Sequence, residues 1–234
     1  MLPHQAPTTG QQMMVGTNTT SSKRAVVKIL GNYVLQKDKR IGQGAFSEVF
    51  KGFEKDTKEP VAIKVMPRNQ LNDRLLRNLE LEISVMRKVK SDYVVQLHEV
   101  QRSQTNFYLI IELCRGGELG QLLSNISTNP LLLNQYRRGL KESIARKLIY
   151  QLVTGLKSLS DQNLVHRDLK PANLLLSQPF RITTDITGMK GKVVDITHKD
   201  VDFGFLKIAD FGFAREIAPT DLAQTLCGTP LYMA

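Results

Sequence analysis

Hydrophobic residues recur along the chain at spacings that predict both helices and strands. From Leu75 to Val89 the apolar residues lie three or four positions apart, which is the spacing of one helix face. A second repeat at helical spacing predicts a longer core helix and consists of Ile144, Leu148, Leu152, Leu156 and Leu159. Two runs rich in β-branched and apolar residues, 61–66 and 107–113, predict strands that are at least half buried.

Two polar stretches interrupt this pattern. Residues 1–23 are rich in Gln, Thr, Ser and Asn and cannot bury much apolar surface, so we expect a disordered N-terminal segment. A second stretch near 178–205 contains several threonines and lysines. We expect it to be an insertion, hairpin-like or disordered, because long surface loops cost little closure entropy.

Composition and charge narrow the class of protein only slightly. The chain has 234 residues, 41% of them hydrophobic, and a formal net charge of +10. Its basic residues are dispersed, with no basic run interleaved with aromatics, so we expect a solvated surface and no nucleic-acid partner. There is no apolar run long enough for a transmembrane segment and no secretory signal pattern. The two cysteines lack a disulfide or zinc spacing, so we expect a cytoplasmic location.

The segment 166–173, HRDLKPAN, carries the clearest chemistry in the chain. A carboxylate such as Asp168 can orient a substrate hydroxyl and accept its proton. Lys170 can neutralise a transferring phosphoryl group, and Asn173 can hold a metal through its amide oxygen. This grouping suits phosphoryl transfer.

A glycine-containing segment, 41–52, reads IGQGAFSEVFKG. Gly42 and Gly44 would let the backbone approach phosphates without a side chain in the way. Alternating residues around Val49 suit the strands of a hairpin that covers a nucleotide. A glycine pair alone is also compatible with an ordinary hairpin turn.

Lys64 lies in the middle of the strand predicted at 61–66, and the helix that follows offers it an acidic partner. At about 100° per residue, Glu82 falls within the apolar face of that helix and Glu80 towards its edge. We therefore predict an ion pair between Lys64 and Glu82. The alternative is a solvated glutamate at the border of the apolar stripe, as most helical glutamates are.

The tripeptide Asp-Phe-Gly occurs twice, beginning at Asp202 and at Asp210. A short alternating strand, 206–209, leads into Asp210, whereas Asp202 lies in the polar run HKDVD. We predict that Asp210 is the metal ligand and that Asp202 is a fortuitous match within the insertion.

Together these motifs resemble the eukaryotic protein kinases over roughly residues 33–234, in the order that this family has. Lys170 and the run GTPLYMA favour the serine/threonine branch. The combination of IGQGAF, LLRNLELEISVM, YLIIELCRGGEL, DFGFAR and TLCGTPLYMA is similar to the autophagy-initiating kinases of the Unc-51-like group. Ser47 replaces the third glycine of the family's glycine-rich loop.

The resemblance implies an α+β, bilobal protein-kinase fold. It implies a complete small lobe, an antiparallel sheet plus one helix, over 24–113. A mainly helical large lobe would occupy 114–234 and be truncated at its C-terminus, because the family continues with further helices. The insertion lengthens the connection between Asn173 and Asp210 beyond what the family usually has.

The resemblance also implies ATP and Mg²⁺ as cofactors and proteins as substrates. Lys64 would grip the α- and β-phosphates, Asn173 and Asp210 would hold Mg²⁺, and the catalytic set comprises Asp168, Lys170, Asn173, Lys64 and Glu82. The remaining nucleotide contacts would come from Ile41, Gly42, Gly44, Val49, Ala62, Ile111, Glu112, Cys114 and Glu118.

Residues 107–123 resemble the hinge between kinase lobes. Ile111 would line the back of the adenine pocket, the main chain of Glu112 and Cys114 would contact the adenine edge, and Glu118 would approach the ribose. An ordinary strand, glycine turn and helix is the alternative. Further on, Thr225 is a candidate phosphoacceptor with Arg167 as the phosphate partner.

The sequence thus predicts an ATP-dependent serine/threonine protein kinase domain, incomplete at its C-terminus. The alternative is a non-catalytic, kinase-like fragment that binds a nucleotide or a partner. The four residues Lys64, Asp168, Asn173 and Asp210 are all present and argue against that alternative, whereas the missing helices of the large lobe favour it for the chain as given.

Overall fold

The computed structural model describes residues 26–128, 140, 142–179 and 203–216. The predictions about segment 1–23, Asp202, Thr225 and the second cysteine, Cys227, fall outside these residues.

A six-stranded sheet forms the first part of the described chain. Its neighbouring strands are all antiparallel and follow the order β1-β2-β3-β4-β6-β5. The strands are β1 (Val27–Leu30), β2 (Tyr33–Gln43), β3 (Glu48–Glu54), β4 (Pro60–Pro67), β5 (Leu97–Arg102) and β6 (Asn106–Glu112). The predicted hairpin around Val49 is the pair β2 and β3, and the two predicted strands are β4 and β6.

One helix, α1 (Asp73–Lys88), packs against this sheet. The side chain of Asn72 caps its first turn by accepting a hydrogen bond from the Leu75 N–H at 3.0 Å. The helix buries one face, made of Leu79, Glu82, Ile83, Val85 and Met86. The prediction of a small lobe with an antiparallel sheet and one helix is therefore confirmed.

The apolar core has two parts, one on each face of the sheet. The smaller part covers the face away from α1 and contains Leu30, Leu35, Val61, Ile63, Tyr108 and Ile110. The larger part begins at α1 and runs without a break into the second half of the chain, as far as Leu148, Leu176 and Phe211. The two halves therefore share one core below the sheet.

The described residues of the second half form two α-helices and several short strands. The helices are α2 (Leu119–Thr128) and α3 (Glu142–Ser160), and the strands are β7 (Gly117–Glu118), β8 (Leu164–Val165), β9 (Leu174–Leu176), β10 (Leu206–Ile208) and β11 (Arg215–Glu216). Strands β10, β9 and β7 form one small antiparallel sheet, and β11 pairs with β8. Among the described helices, none is both long enough and apolar enough to cross a membrane.

Helix α3 is the long core helix that the second apolar repeat predicts. Ile144, Leu148 and Leu159 are buried in the larger core. Gly155 brings the helix close to its neighbours, because a Cβ there would lie 3.0 Å from both the Ile208 Cδ1 and the Tyr93 carbonyl oxygen. Strand β10 is therefore held directly against α3.

The two described ends of the predicted insertion lie side by side. The Ser177 N–H donates to the Phe205 carbonyl at 2.9 Å, and the Gln178 N–H donates to the Phe203 carbonyl at 3.2 Å. Gly204 has a φ of +65°, and a Cβ there would lie 2.2 Å from the Ser177 Oγ. Any other residue would be strained at that position. The two hydrogen bonds extend the β9–β10 pairing to residues 203–205.

Candidate active site

Lys64 and Glu82 form the predicted ion pair between sheet and helix. The Lys64 Nζ lies 2.6 Å and 2.9 Å from the two carboxylate oxygens of Glu82. Burial by itself lowers the pKa of Lys64, but Glu82 and then Asp210 outweigh it, so the pKa lies above its ordinary value. Lys64 therefore carries its positive charge throughout the neutral pH range.

Asp210 lies on the other side of the same lysine. Its Oδ1 is 3.8 Å from the Lys64 Nζ. Asp210 has a φ of +63°, a conformation that costs of order 1–3 kcal/mol for most residues and concentrates at functional sites. The next residue, Phe211, is fully buried and packs edge-on against the His166 ring, with 5.3 Å between the ring centroids. The backbone thus turns sharply to bring the carboxylate to Lys64 while Phe211 enters the core.

Asp168 is buried in the loop between β8 and β9, where two neighbours hold its side chain. Its Oδ2 accepts from the Lys170 Nζ at 2.8 Å and from the Asn173 Nδ2 at 3.1 Å. The Asn173 Nδ2 also donates to the Asp168 carbonyl at 2.8 Å. Since Nδ2 makes both of these hydrogen bonds, the amide oxygen Oδ1 is the Asn173 atom that could bind a metal.

His166 joins this loop to the segment before Asp210. Its Nε2 is 3.0 Å from the Ala209 carbonyl oxygen, and its Nδ1 accepts from the Asp168 N–H at 3.3 Å. Burial lowers its pKa, more than the bond to Ala209 and the nearby carboxylates raise it, so the ring is neutral. The Ala209 N–H in turn donates to the Asn173 carbonyl at 2.9 Å. His166 was not among the predicted site residues, although its place beside Asp168 is a usable sequence signal.

The face of the sheet that carries Lys64 also carries several of the predicted nucleotide contacts. Val49 lies directly across from Lys64, and Ile111 directly across from Ala62. Residues paired across strands share a face, and Ala62 and Lys64 lie two positions apart on one strand. Val49, Ala62, Lys64 and Ile111 therefore line one surface.

Gly42 and Gly44 sit at the end of the β2–β3 hairpin. Gly42 pairs with Val49, and the Gly44 N–H donates to the Ser47 carbonyl at 2.8 Å. Neither glycine has a positive φ, and a Cβ on Gly42 would find ordinary contact distances. The backbone conformation at Gly42 does not itself require glycine. Ile41, beside it, is exposed.

The predicted hinge leaves β6 at Glu112 and enters β7. The Gly117 N–H donates to the Cys114 carbonyl at 3.3 Å, which closes a turn. Burial, and then Glu112, raise the pKa of the Cys114 thiol to about 12. Glu118 is exposed and pairs across from Leu175 in β9. No described contact connects Glu118 with Lys64 or Asp168.

Arg167 precedes Asp168 and adopts a φ of +64°. Its Nε donates to the Phe213 carbonyl at 2.8 Å. Within the described ranges its Nη1 is buried and has no hydrogen-bond partner. The guanidinium therefore reaches the start of the segment that leads to Thr225, which itself lies outside the described residues.

The chain belongs to the protein kinase family, because the protein kinase domain matches residues 35–234. The predicted α+β kinase fold and the serine/threonine branch are confirmed by this match and by the relatives. The chain is 40% identical to the serine/threonine-protein kinase ATG1 of Saccharomyces cerevisiae over 233 residues, which is 93% of this chain and 25% of that protein.

Two further relatives carry the same name. The protein of Komagataella pastoris is 39% identical over 218 residues, covering 88% of this chain and 26% of that protein. The protein of Eremothecium gossypii is 40% identical over 233 residues, covering 93% of this chain and 23% of that protein. The chain spans about a quarter of the length of the curated relatives it matches.

Proposed function

We propose that this chain is the catalytic domain of an ATP-dependent kinase that transfers the γ-phosphoryl group of ATP to serine and threonine hydroxyls of proteins. The observation that carries this proposal is the position of Lys64, 2.6 Å from Glu82 and 3.8 Å from Asp210. Glu82 fixes the ammonium group, whose charge can then bind phosphate oxygens beside the Asp210 carboxylate.

The nucleotide binds, in this proposal, against the face of the sheet that carries Lys64. Ala62 and Ile111 contact the adenine ring, with the main chain of Glu112 and Cys114 at its edge and Glu118 near the ribose. The β2–β3 hairpin covers the phosphates from above. Gly42 and Gly44 have no side chains, so the backbone of the hairpin can approach a phosphate closely. This approach gives the two glycines a role, since neither has a positive φ that would itself favour glycine.

Asn173 and Asp210 are the residues we propose as Mg²⁺ ligands. An amide oxygen and a carboxylate are hard oxygen donors that suit Mg²⁺, which uses few protein ligands and completes its shell with phosphates and water. The described part of the chain has no group of three or more His, Cys, Asp or Glu that could hold a metal ion. The pair Asn173 and Asp210 suits an ion that takes its remaining ligands from a nucleotide and water. When bound, Mg²⁺ neutralises charge on the β- and γ-phosphates.

Asp168 is the proposed base. It accepts the proton of the substrate hydroxyl as that oxygen forms its bond to the γ-phosphorus. The bond from the γ-phosphorus to the β,γ-bridging oxygen breaks, and ADP leaves with the electron pair. Lys170, 2.8 Å from Asp168, is placed to balance the charge of the transferring group. Asn173 holds Asp168 in position through two hydrogen bonds.

The finer assignment is also a proposal. The identity of about 40% with proteins named ATG1 supports membership of the autophagy-initiating Unc-51-like group. We propose on this basis that the protein acts in the cytoplasm on protein substrates. The non-catalytic alternative is not favoured, because the charged residues that transfer requires are present and gathered around Lys64 and Asp168.

The test separates nucleotide binding from turnover. With the full polypeptide, γ-labelled ATP, Mg²⁺ and a basic protein substrate, the change Asp168→Asn should lower transfer about 10²- to 10⁴-fold, the usual contribution of a general base. The affinity for ADP should stay within a factor of about two to three. Asp161→Asn is the matched control, because Asp161 is exposed and pairs only with Lys157 among its described contacts. Transfer by the Asp168→Asn variant at the parent rate would refute the proposed role.

A further inference from the structure

Lys207, the central residue of β10, is a buried cation that is not among the proposed catalytic or nucleotide-binding residues. Only 5% of its side chain is exposed, and its Nζ lies 2.9 Å from the Glu112 Oε1. Lysines are almost never fully buried unless a partner balances their charge. A lysine that served only to solubilise the strand would point outwards, so this burial points to a positional role.

Glu112 is held from its other side by Gln96. The Glu112 N–H donates to the Gln96 carbonyl at 2.9 Å, and the Glu112 Oε2 accepts from the Gln96 N–H at 3.3 Å. The Gln96 side chain donates to the carbonyls of Ser91 and Val94. Glu112 is therefore fixed where the main chain leaves β6 for the proposed adenine contacts.

Lys207, the other partner of the ion pair, lies shortly before Asp210 in the chain. Next to Lys207, Ile208 donates to the Tyr93 carbonyl at 2.9 Å and accepts from the Val95 N–H at 3.0 Å. Asp210 follows Lys207 by three residues, across a sharp turn. The Lys207–Glu112 pair therefore connects the 112–114 segment, which would contact adenine, with strand β10, which precedes the proposed metal ligand Asp210.

We propose that Lys207 is a positioning residue that sets the place of the 112–114 main chain relative to Asp210, and so the fit of the adenine end of ATP. This inference rests on the proposed function. Glu112 is 26% exposed, so without Lys207 its carboxylate can turn towards water, and the main chain that follows it at 113–114 loses this support. The adenine contacts are made equally in the ground state and the transition state, and their loss raises KM with little change in kcat.

The KM and kcat values for ATP distinguish this role from a general loss of folded protein. In the full polypeptide, Lys207→Met should raise KM for ATP about tenfold, the factor that about 1.4 kcal/mol of pair coupling gives. Lys207→Arg should restore most of the affinity, because it keeps the charge. Misfolding of a fraction of the sample would instead lower kcat and leave KM unchanged. Lys157→Met removes an exposed ion pair and is the control for charge alone.

Glu112→Gln provides a second route, since it neutralises the partner without altering its size. It should raise KM as Lys207→Met does, and the double variant should be no worse than either single one. Unchanged KM in Glu112→Gln, or additive effects in the double variant, would overturn the inference. A parent protein that transfers no phosphoryl group would refute the proposed function instead. An active parent whose KM for ATP is unchanged in both variants would refute only the role of Lys207.

Discussion

The Nζ of Lys64 donates to both carboxylate oxygens of Glu82, at 2.6 Å and 2.9 Å, across the gap between β4 and α1. Glu82 is buried among apolar residues of α1, and such a carboxylate is stable there only because a cation neutralises it. Removing one partner of a buried ion pair typically costs about 3–5 kcal/mol. The pair therefore fixes the helix to the sheet at the point where phosphate would bind.

Glu82→Gln should lower phosphoryl transfer by at least about tenfold, because Lys64 loses the charge that holds it in place. The helix supplies its own control. Glu80 lies two residues earlier and is exposed, so Glu80→Gln should leave the rate within about twofold of the parent. Steady-state rates at saturating ATP, with thermal unfolding of each variant, test the pair. Equal rates for the two variants would remove Glu82 from the site.

Asp210 and Asp202 begin two copies of one tripeptide; Asp210 lies next to Lys64, and Asp202 falls outside the described residues. Asp210→Ala should abolish Mg²⁺-dependent transfer, whereas Asp202→Ala should leave it near the parent level. Rates measured over a range of Mg²⁺ concentrations check this. Loss of activity in Asp202→Ala with retention in Asp210→Ala would show that the other aspartate is the metal ligand.

The thiol of Cys114 should react slowly with alkylating reagents. Its pKa is raised from 9.0 to about 12, so the folded protein keeps the thiol protonated where the unfolded chain begins to ionise. At neutral pH the thiolate fraction is about 1000-fold smaller in the folded state, and it should grow about tenfold for each pH unit. Iodoacetamide labelling of this residue at pH 7.5, followed by mass spectrometry, measures it. A folded rate within tenfold of the rate in urea would contradict the raised pKa.

The segment 180–202 should be replaceable by a short turn. Gln178 and Phe203 are joined by a hydrogen bond, so a few residues can close the gap. Each halving of the loop length lowers the entropic cost of closing the loop by roughly 0.6 kcal/mol, so stability should hold or rise slightly. Gly204→Ala in the parent chain is the contrasting variant, since its φ of +65° and its contact with Ser177 leave no room for a Cβ. A collapse of the thermal midpoint in the shortened chain alone would show that the segment supports the fold.

The elements that the sequence predicted well are those with a local signal. Periodicity alone placed Glu82 on the buried face of α1, and the alternating run 206–209 correctly indicated a strand before Asp210. Strand β1 was not predicted, although Gly31 and Asn32 between two apolar runs are a usable hairpin signal. The ion pair of Lys207 was not predictable, because its partner lies far away in the sequence and the burial of β10 depends on tertiary packing.

Identification of the group that accepts the phosphoryl group tests the central claim most directly. The full polypeptide is incubated with ATP, Mg²⁺ and a protein substrate, and the ADP formed is compared with the phosphoserine and phosphothreonine recovered from the proteins present. We predict that the two amounts are equal and that both vanish in the Asp168→Asn variant. ADP formed together with free phosphate, with no phosphorylated serine or threonine, would contradict the assignment of this site as a protein kinase.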